Sequence, residues 1–148
     1  MMLSRDQREL IEFLSAKCVK YLLVGGVALA YHGSPRFTGD LDVLYERTPE
    51  NVERLMAALA DFGVPLRDIS SSDFLQPNVI IQFGSPPGRI DLLSGIDGVE
   101  FSAAWANRVT IGGDSDLKVL VISRDDLIRN KRATGRLKDL ADVEALGG

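Results

Sequence analysis

The chain contains few of the residues and segments on which several large protein classes depend. It has a single cysteine, Cys18, and a single histidine in 148 residues. A lone thiol cannot build a disulfide framework, which predicts a reducing, cytoplasmic location, and Cys18 is expected to be a small buried residue near a helix end. The longest apolar run, residues 21–31, is interrupted by Gly25 and Gly26 and is shorter than the roughly 18 residues of a membrane-spanning helix. The charged residues near the start are also untypical of a secretory signal, so no membrane contact is predicted.

The charge of the chain is modest overall and uneven along its length. With 45% hydrophobic and 26% charged residues, the composition is typical of a folded protein, and residues 1–148 are expected to form one domain. The net charge of −4 argues against a protein that coats nucleic acid over its whole surface. Six basic and two acidic residues nevertheless lie between Arg124 and Lys138. This patch suits a polyphosphate or a limited nucleic-acid contact, although an ordinary solvent-exposed helix face is an equally simple interpretation.

The pattern of apolar and turn-forming residues predicts a mixed α/β fold. Four consecutive apolar residues, Tyr21–Val24, predict a buried strand that ends at Gly25-Gly26. A short helix over 27–32 and a second strand over 39–45 follow, and Thr48 with Pro49 predicts the start of a helix. The complete set of predicted helices covers 4–17, 27–32, 49–62, 70–74, 101–106, 123–134 and 137–146, and two hairpins are expected, one of strands 79–83 and 89–93 and an edge hairpin of 109–111 and 117–121.

Two carboxylates lie two residues apart on the second predicted strand. Side chains at positions i and i+2 of a strand share a face, so Asp40 and Asp42 are expected to project together. Leu41 and Val43 would point the other way, into a core. Two like charges held side by side repel each other, and either a cation between them or protonation of one would relieve that cost.

A third carboxylate, Asp91, interrupts a later apolar strand. An ion pair with Arg89 and a place in a common acidic site are equally good interpretations of Asp91 by itself. Three carboxylates that converge from neighbouring strands would form an all-oxygen site for a hard cation such as Mg²⁺. Two such ions, about 3.5–4 Å apart, can clamp the attacking and leaving oxygens of an in-line phosphoryl displacement.

The Gly25-Gly26 pair lies between the first predicted strand and a short helix. Glycine permits a sharp turn and leaves the backbone bare, and unpaired N–H groups at a helix start can bind phosphate. A plain tight turn is the alternative interpretation. A lysine outside the carboxylate cluster could neutralise a leaving pyrophosphate.

In combination, these features resemble the nucleotidyltransferase superfamily, the group built on the polymerase β-like minimal fold. Its motif is a glycine pair after a strand, an Asp-x-Asp on the next strand and a later carboxylate, which Gly25-Gly26, Asp40-Leu41-Asp42 and Asp91 match. Within that superfamily the chain is similar to small bacterial stand-alone domains and AbiEii-type toxin nucleotidyltransferases. This finer resemblance rests on the segment from Gly25 to Asp42 and on Lys131, Arg136, Lys138-Asp139 and Asp142.

The resemblance implies both a fold and an activity. The fold would be a mixed, partly antiparallel sheet flanked by helices. The activity would be transfer of a nucleoside monophosphate from a nucleoside triphosphate, such as ATP, to an acceptor, with Mg²⁺ or Mn²⁺ as cofactor. The acceptor could be RNA such as tRNA, a protein or a small molecule, and an antitoxin partner or a homodimer is implied for a role in a toxin–antitoxin or phage-defence system. A catalytically silent domain that binds nucleotide or RNA and acts through a partner protein is the alternative.

The resemblance also implies roles for individual residues. Asp40, Asp42 and Asp91 would bind metal, and Asp91 could also take the proton of the acceptor. The residues implied in nucleotide binding are Gly25, Gly26, Arg36, Thr38, Lys131, Arg136 and Asp139, with Lys131 meeting the triphosphate. Gly26 stands where many relatives have serine, so a hydroxyl contact to a phosphate is missing there.

Two of these residues have a second interpretation. Arg36 could reach a phosphate or could form a salt bridge with Asp40 or Asp42. Asp139 could orient Lys131 or Arg136, or could simply form a salt bridge. His32 is predicted to be a partly buried histidine at a helix end, because two-metal transfer needs no histidine base.

Overall fold

The computed structural model describes residues 3–33, 39–85, 88–112 and 117–148, and in this part of the chain strands and helices alternate. The predicted mixed α/β fold with a partly antiparallel sheet is confirmed. The strands are β1 (Tyr21–Val24), β2 (Leu41–Tyr45), β3 (Ile80–Phe83), β4 (Ile90–Leu93), β5 (Val109–Ile111) and β6 (Val119–Val121). The helices are α1 (Arg5–Ala16), α2 (Gly25–Tyr31), α3 (Pro49–Phe62), α4 (Ser71–Phe74), α5 (Phe101–Ala106), α6 (Arg124–Thr134) and α7 (Leu137–Ala145).

The strands form one sheet in the order β3-β4-β2-β1-β6-β5. The central pair, β1 and β2, is antiparallel, whereas β2 with β4 and β1 with β6 are parallel. Both outer pairs are antiparallel, as the two predicted hairpins require. As a result, β1 and β6 end at the same edge of the sheet at which β2 and β4 begin. Residues at this edge therefore come from four different stretches of the chain.

The core lies against the central strands. All four residues of β1 are buried, as the continuous apolar run predicts. Helices α1 and α3 pack against each other and bury one apolar face each, spaced at helical intervals. The buried apolar residues of these two helices are Leu10, Ile11, Leu14, Val52, Leu55, Ala58 and Leu59.

Local sequence signals determine where helix α6, which carries Lys131, begins and ends. Helix α6 begins at the predicted cap, where the Ser123 side chain accepts a hydrogen bond from the backbone N–H of Asp126. It ends at Gly135, which has a left-handed backbone with φ of 68°. Because the helix stops there, Lys131 lies in its last turn, near the edge at which β1 ends.

The structure differs from the sequence-based expectations at several points. Helix α2 begins at Gly25 and not at Val27, so the sharp turn at φ of 64° is also the first residue of the helix. Strand β2 begins at Leu41, which leaves Asp40 just before the strand. Cys18 is exposed and not buried, because it lies with φ of 56° in the turn after α1. In the described ranges, no helix is both long and apolar enough to span a membrane.

Candidate active site

Asp42 and Asp91 lie side by side at the edge where β2 and β4 begin. They are register partners on these parallel strands, so their side chains project from the same face of the sheet. Burial raises the pKa of Asp42, and the neighbouring charges of Asp91 and Asp40 raise it further, to about 7. Two carboxylates from strands distant in sequence thus form one close acidic pair.

Arg89 connects Asp91 to Asp40. Its Nε donates a hydrogen bond of 2.8 Å to Oδ1 of Asp91, and its Nη2 donates one of 3.2 Å to Oδ2. The same guanidinium lies 3.8 Å from Oδ2 of Asp40. Oδ1 of Asp40 accepts hydrogen bonds from the backbone N–H groups of Gly88 and Arg89, at 3.1 and 3.0 Å. The ion pair between Asp91 and Arg89 that the sequence suggested is therefore present, and Asp40 is directed at the chain that enters β4.

The donor set of this cluster fits a hard divalent cation, although the ligands are not gathered as a complete metal centre. Asp42 and Asp91 offer adjacent carboxylate oxygens, the ligand type that Mg²⁺ and Mn²⁺ prefer. Across the residues that the structure describes, no group of three histidine, cysteine, aspartate or glutamate side chains is arranged to hold a metal ion. The positive charge at Asp91 comes from Arg89, and Asp40 is turned toward the backbone at 88–89.

Gly25 makes room for the acidic pair. A Cβ atom at this position would lie 2.0 Å from Oδ2 of Asp42, and the φ of 64° is a conformation that other residues adopt only at a cost. The sequence suggested that Gly25 exposes its backbone to phosphate. The structure adds a steric requirement, because the end of β1 must pass directly over the Asp42 carboxylate.

Lys131 approaches the same edge from α6. It is 8% exposed, and its Nζ lies 3.2 Å from Oδ1 of Asp139 and 3.0 Å from Oδ2 of Asp142. Both aspartates are buried on one face of α7, as their spacing of three residues predicts. A buried lysine is thus held between two buried carboxylates.

Asp139 also accepts hydrogen bonds from two residues other than Lys131. Its Oδ2 accepts hydrogen bonds from Oγ1 of Thr134, at 2.6 Å, and from Nε of Arg136, at 2.8 Å. Burial by itself would raise the pKa of Asp139, but the hydrogen bonds from Thr134, Arg136 and Lys131 outweigh burial and lower it to about 2. Asp139 therefore forms salt bridges with both Lys131 and Arg136, and its role in orienting them stays a prediction.

Two adjoining cavities meet at these residues. Five residues line both of them: Gly25, Asp42, Lys131, Arg136 and Asp139. The first, here named the inner cavity, has a volume of about 180 Å³ and is also lined by Gly26, Leu29, Lys138 and Asp142. The second, named the outer cavity, has a volume of about 390 Å³ and extends past Asp91 along β4 and β3.

Comparison with known proteins assigns the chain to a family. Residues 2–147 match the family described as "Nucleotidyltransferase of unknown function (DUF6036)". The chain belongs to this family. No curated protein matches the sequence.

Solved structures show the same fold. A crystallised protein of Thermotoga maritima, assigned provisionally as a nucleotidyltransferase, is similar with a TM-score of 0.61 and 15% identity, over 99% of this chain and 93% of that one. An antigenic nucleotidyltransferase-like protein of Paracoccidioides brasiliensis has a TM-score of 0.53 and 17% identity, over 97% of this chain and 77% of that one. At these identities the likeness concerns the fold, and the AbiEii-type branch stays a prediction.

Several predicted site residues meet in the part of the chain that the structure describes. Gly25, Gly26, Lys131, Arg136 and Asp139 line the inner cavity together with Asp42. Arg36 and Thr38 fall outside the described residues. His32 lies at the end of α2, and its Nε2 is 2.8 Å from the backbone oxygen of Ile122. The predicted partly buried histidine at a helix end is confirmed.

The site predicted from the sequence leaves out Asp142 and Thr134, and gives Arg89 only as an alternative ion-pair partner. Asp142 is three residues beyond Asp139 on one helix, a spacing that places both on a common face, and Arg89 is two residues before Asp91, just ahead of β4. Thr134 carries no such signal, because its hydroxyl reaches Asp139 only through the turn at Gly135.

Proposed function

We propose that this protein is a metal-dependent nucleotidyltransferase that transfers a nucleoside monophosphate from a nucleoside triphosphate to an acceptor hydroxyl. The observation that carries the proposal is the pairing of Asp42 with Asp91 in register, directly beneath Gly25 and in the same cleft as Lys131. A cleft that places two carboxylates beside a buried lysine can bind both the cation and the phosphates of a nucleotide.

Asp42 and Asp91 would hold Mg²⁺ or Mn²⁺, with Asp40 as the third proposed ligand. When bound, a divalent cation would supply a Lewis acid for the phosphoryl oxygens. Arg89 balances the charge of Asp91 and reaches Asp40, so it keeps the acidic residues together in the absence of other cations. Asp91 would accept the proton of the attacking hydroxyl.

The inner cavity is the proposed site of the triphosphate. Lys131, Arg136 and Lys138 line it, and Asp139 fixes the first two through hydrogen bonds. A positioned cation stabilises charge that develops on a leaving pyrophosphate without rearrangement at the moment of reaction. The backbone of Gly25 and Gly26 borders the same space. Arg36 and Thr38 remain proposed phosphate ligands from the sequence resemblance.

A nucleotide-binding domain that is catalytically silent is the second candidate. The observation that favours it is the saturation of the charged groups: Arg89 pairs with Asp91, and Lys131 pairs with Asp139 and Asp142. Such a domain would act through a partner protein, an antitoxin or a second copy of the chain. It would bind a nucleotide but transfer nothing.

The experiment that separates the two candidates follows a label from the α-phosphate of each nucleoside triphosphate. The purified protein is incubated with the labelled nucleotide, Mg²⁺ or Mn²⁺, total RNA and cell lysate, and wild type is compared with Asp42→Asn and Asp42→Ala. Asp68→Asn is a matched control, because Asp68 is an exposed carboxylate that borders neither cavity. We expect transfer by wild type and Asp68→Asn alone.

Each outcome has a distinct meaning. Transfer that survives both Asp42 substitutions would overturn the proposed mechanism. Protection against thermal unfolding by a nucleotide, without transfer to any component, would favour the silent domain.

A further inference from the structure

The outer cavity continues the acidic pair into an apolar wall. On β4, Leu93 lies two residues beyond Asp91 and shares its face, and Ile80 on β3 is the register partner of Leu93. A strip of side chains therefore runs from Asp91 across Leu93 to Ile80 on one face of the sheet. Ile96 borders the same cavity. These three apolar residues, Ile80, Leu93 and Ile96, are here named the apolar wall.

Ile80 is unusually exposed for its position in this wall. Its exposed fraction is 58%, although its strand neighbours Ile81 and Phe83 are partly buried against the core. Strand β3 is the outermost strand of the sheet on this side, so the wall opens toward solvent. A large apolar side chain displayed beside an acidic pair is suited to contact a bound molecule.

The charges of the two cavities differ. Lys131 and Arg136 line both cavities, whereas Lys138 lines only the inner one, whose acidic residues are Asp42, Asp139 and Asp142. Among the described residues that line the outer cavity and not the inner one, the charged side chains are Asp91 and Asp97, both acidic. Asn78 and Asn130 add neutral amide groups there. The outer cavity thus offers apolar surface, amides and a lining in which four acidic residues, Asp42, Asp91, Asp97 and Asp139, outnumber Lys131 and Arg136.

The geometry of the displacement indicates which cavity holds the leaving pyrophosphate and which holds the acceptor, and this step rests on the proposed function. In an in-line displacement the attacking and leaving oxygens lie on opposite sides of the phosphorus atom. A pyrophosphate stabilised by Lys131 and Arg136 departs through the inner cavity, because Lys138 lines that cavity and not the outer one. The acceptor must then approach from the outer cavity, past Asp91.

We infer that the outer cavity is the acceptor subsite, and that the acceptor is a hydroxyl on an uncharged or cationic group with an apolar face. A polypeptide side chain and a free small molecule share this chemistry. The acceptor oxygen bonds to the α-phosphorus, the bond between the α-phosphorus and its bridging oxygen to the β-phosphate breaks, pyrophosphate leaves, and the hydroxyl proton passes to Asp91. A phosphate-bearing nucleic-acid end is disfavoured, because the acidic residues of the outer cavity outnumber Lys131 and Arg136 and its net negative charge would repel the backbone.

The test introduces a positive charge into the wall. Ile80→Lys is compared with Thr110→Lys, which adds the same charge at an exposed residue of β5, the outermost strand on the opposite side of the sheet, that borders neither cavity. ATP labelled at the α-phosphate is offered with three separate acceptor probes: total tRNA, a mixture of peptides containing serine, threonine and tyrosine, and an aminoglycoside. Stabilisation of each variant by unlabelled ATP is measured in parallel by thermal unfolding.

We expect wild type to label the peptides or the aminoglycoside, and the labelled probe identifies the source. Ile80→Lys should lower that transfer roughly tenfold, the effect of losing about 1.4 kcal/mol of transition-state binding. Thr110→Lys should stay near wild type, and stabilisation by ATP should be the same in all three proteins.

Three results would overturn the inference. One is labelling of tRNA alone, especially if Ile80→Lys increases it. Another is weaker stabilisation by ATP in Ile80→Lys, which would assign the wall to the donor nucleotide. The third is transfer by Ile80→Lys to the peptides or the aminoglycoside at the wild-type rate. Failure of the proposed function is recognised separately, by transfer that persists in Asp42→Asn.

Discussion

The backbone of Gly25 lies so close to the carboxylate of Asp42 that a Cβ atom at position 25 would come within 2.0 Å of Oδ2. This contact joins the end of β1 to the start of β2, where the two strands pair antiparallel. The glycine that bends the chain into α2 is thus also the residue that leaves space for the acidic pair.

Gly25→Ala should therefore lower nucleotidyl transfer by more than backbone strain at position 25 alone would. Gly63→Ala is the matched control, since Gly63 also has a left-handed backbone, with φ of 105°, but has no atom within 4 Å of its Cβ position. Each substitution should cost about 1–2 kcal/mol of unfolding free energy through strain. Gly25→Ala should in addition lower nucleotidyl transfer roughly 100-fold by displacing Asp42. Equal transfer rates in the two variants would show that the contact is unimportant.

The free energy of unfolding should depend on pH through the ionisation of Asp42. Its pKa is raised from 3.8 to about 7 in the folded state, so the folded protein binds a proton more tightly than the unfolded chain. The stability contribution of Asp42 is therefore complete below pH 3.8, declines as the pH rises, and is lost above about pH 7. Between about pH 5 and pH 8, wild type should lose about 2 kcal/mol relative to Asp42→Asn. Urea denaturation in the presence of a chelator measures this difference, and parallel pH profiles for the two proteins would contradict it.

Divalent cations should stabilise the folded state through Asp42 and Asp91. Mg²⁺ or Mn²⁺ should raise the unfolding temperature of wild type and of Asp68→Asn, because an ion that binds only the folded state shifts the equilibrium by mass action. The same ions should have little effect on Asp42→Asn or Asp91→Asn. A full shift in either site variant would place the cation elsewhere, and this readout is independent of transfer activity.

Asp139 should contribute strongly to stability at neutral pH. Its pKa is lowered to about 2, so its contribution is present above pH 3.8 and is lost as the pH falls through about 2. Asp139→Asn should lower the free energy of unfolding by about 3 kcal/mol at neutral pH. The substitution removes one of the two buried carboxylates that pair with Lys131 and leaves Asp142. The cost should shrink near pH 2. Asp125→Asn is the control, since this exposed ion pair with Arg124 should contribute less than about 1 kcal/mol.

The positive charge of Lys131 should be needed for phosphate binding, and substitutions that remove or keep this charge test that. Lys131→Met removes the cation from the cleft and leaves Asp139 and Asp142 buried without it, so both ATP-dependent stabilisation and the folded state should weaken. Lys131→Arg keeps the charge and should restore most of the folding stability. If Lys131→Met still binds ATP as tightly as wild type in a direct binding measurement, the inner cavity is not the triphosphate site.

Much of the fold could be predicted from local sequence signals. Apolar spacing gave the strands to within two residues, and the caps at Ser4 and Ser123 gave the starts of α1 and α6. The errors lie where tertiary contacts compete with local preference. Asp40 was expected inside a strand, but hydrogen bonds from Gly88 and Arg89 hold it before β2.

The sequence by itself determined which residue types are available: the glycine pair, the acidic residues and a lysine-bearing helix, each on a predictable element. Only the tertiary structure decided that Asp42 faces Asp91, that Arg89 joins Asp91 to Asp40, and that the apolar strip leads outward to Ile80. The physical reason is that helices and strands follow from contacts within a few residues. Strand order and register instead depend on how the whole core packs, and a shift of one residue would turn Asp91 to the opposite face of the sheet.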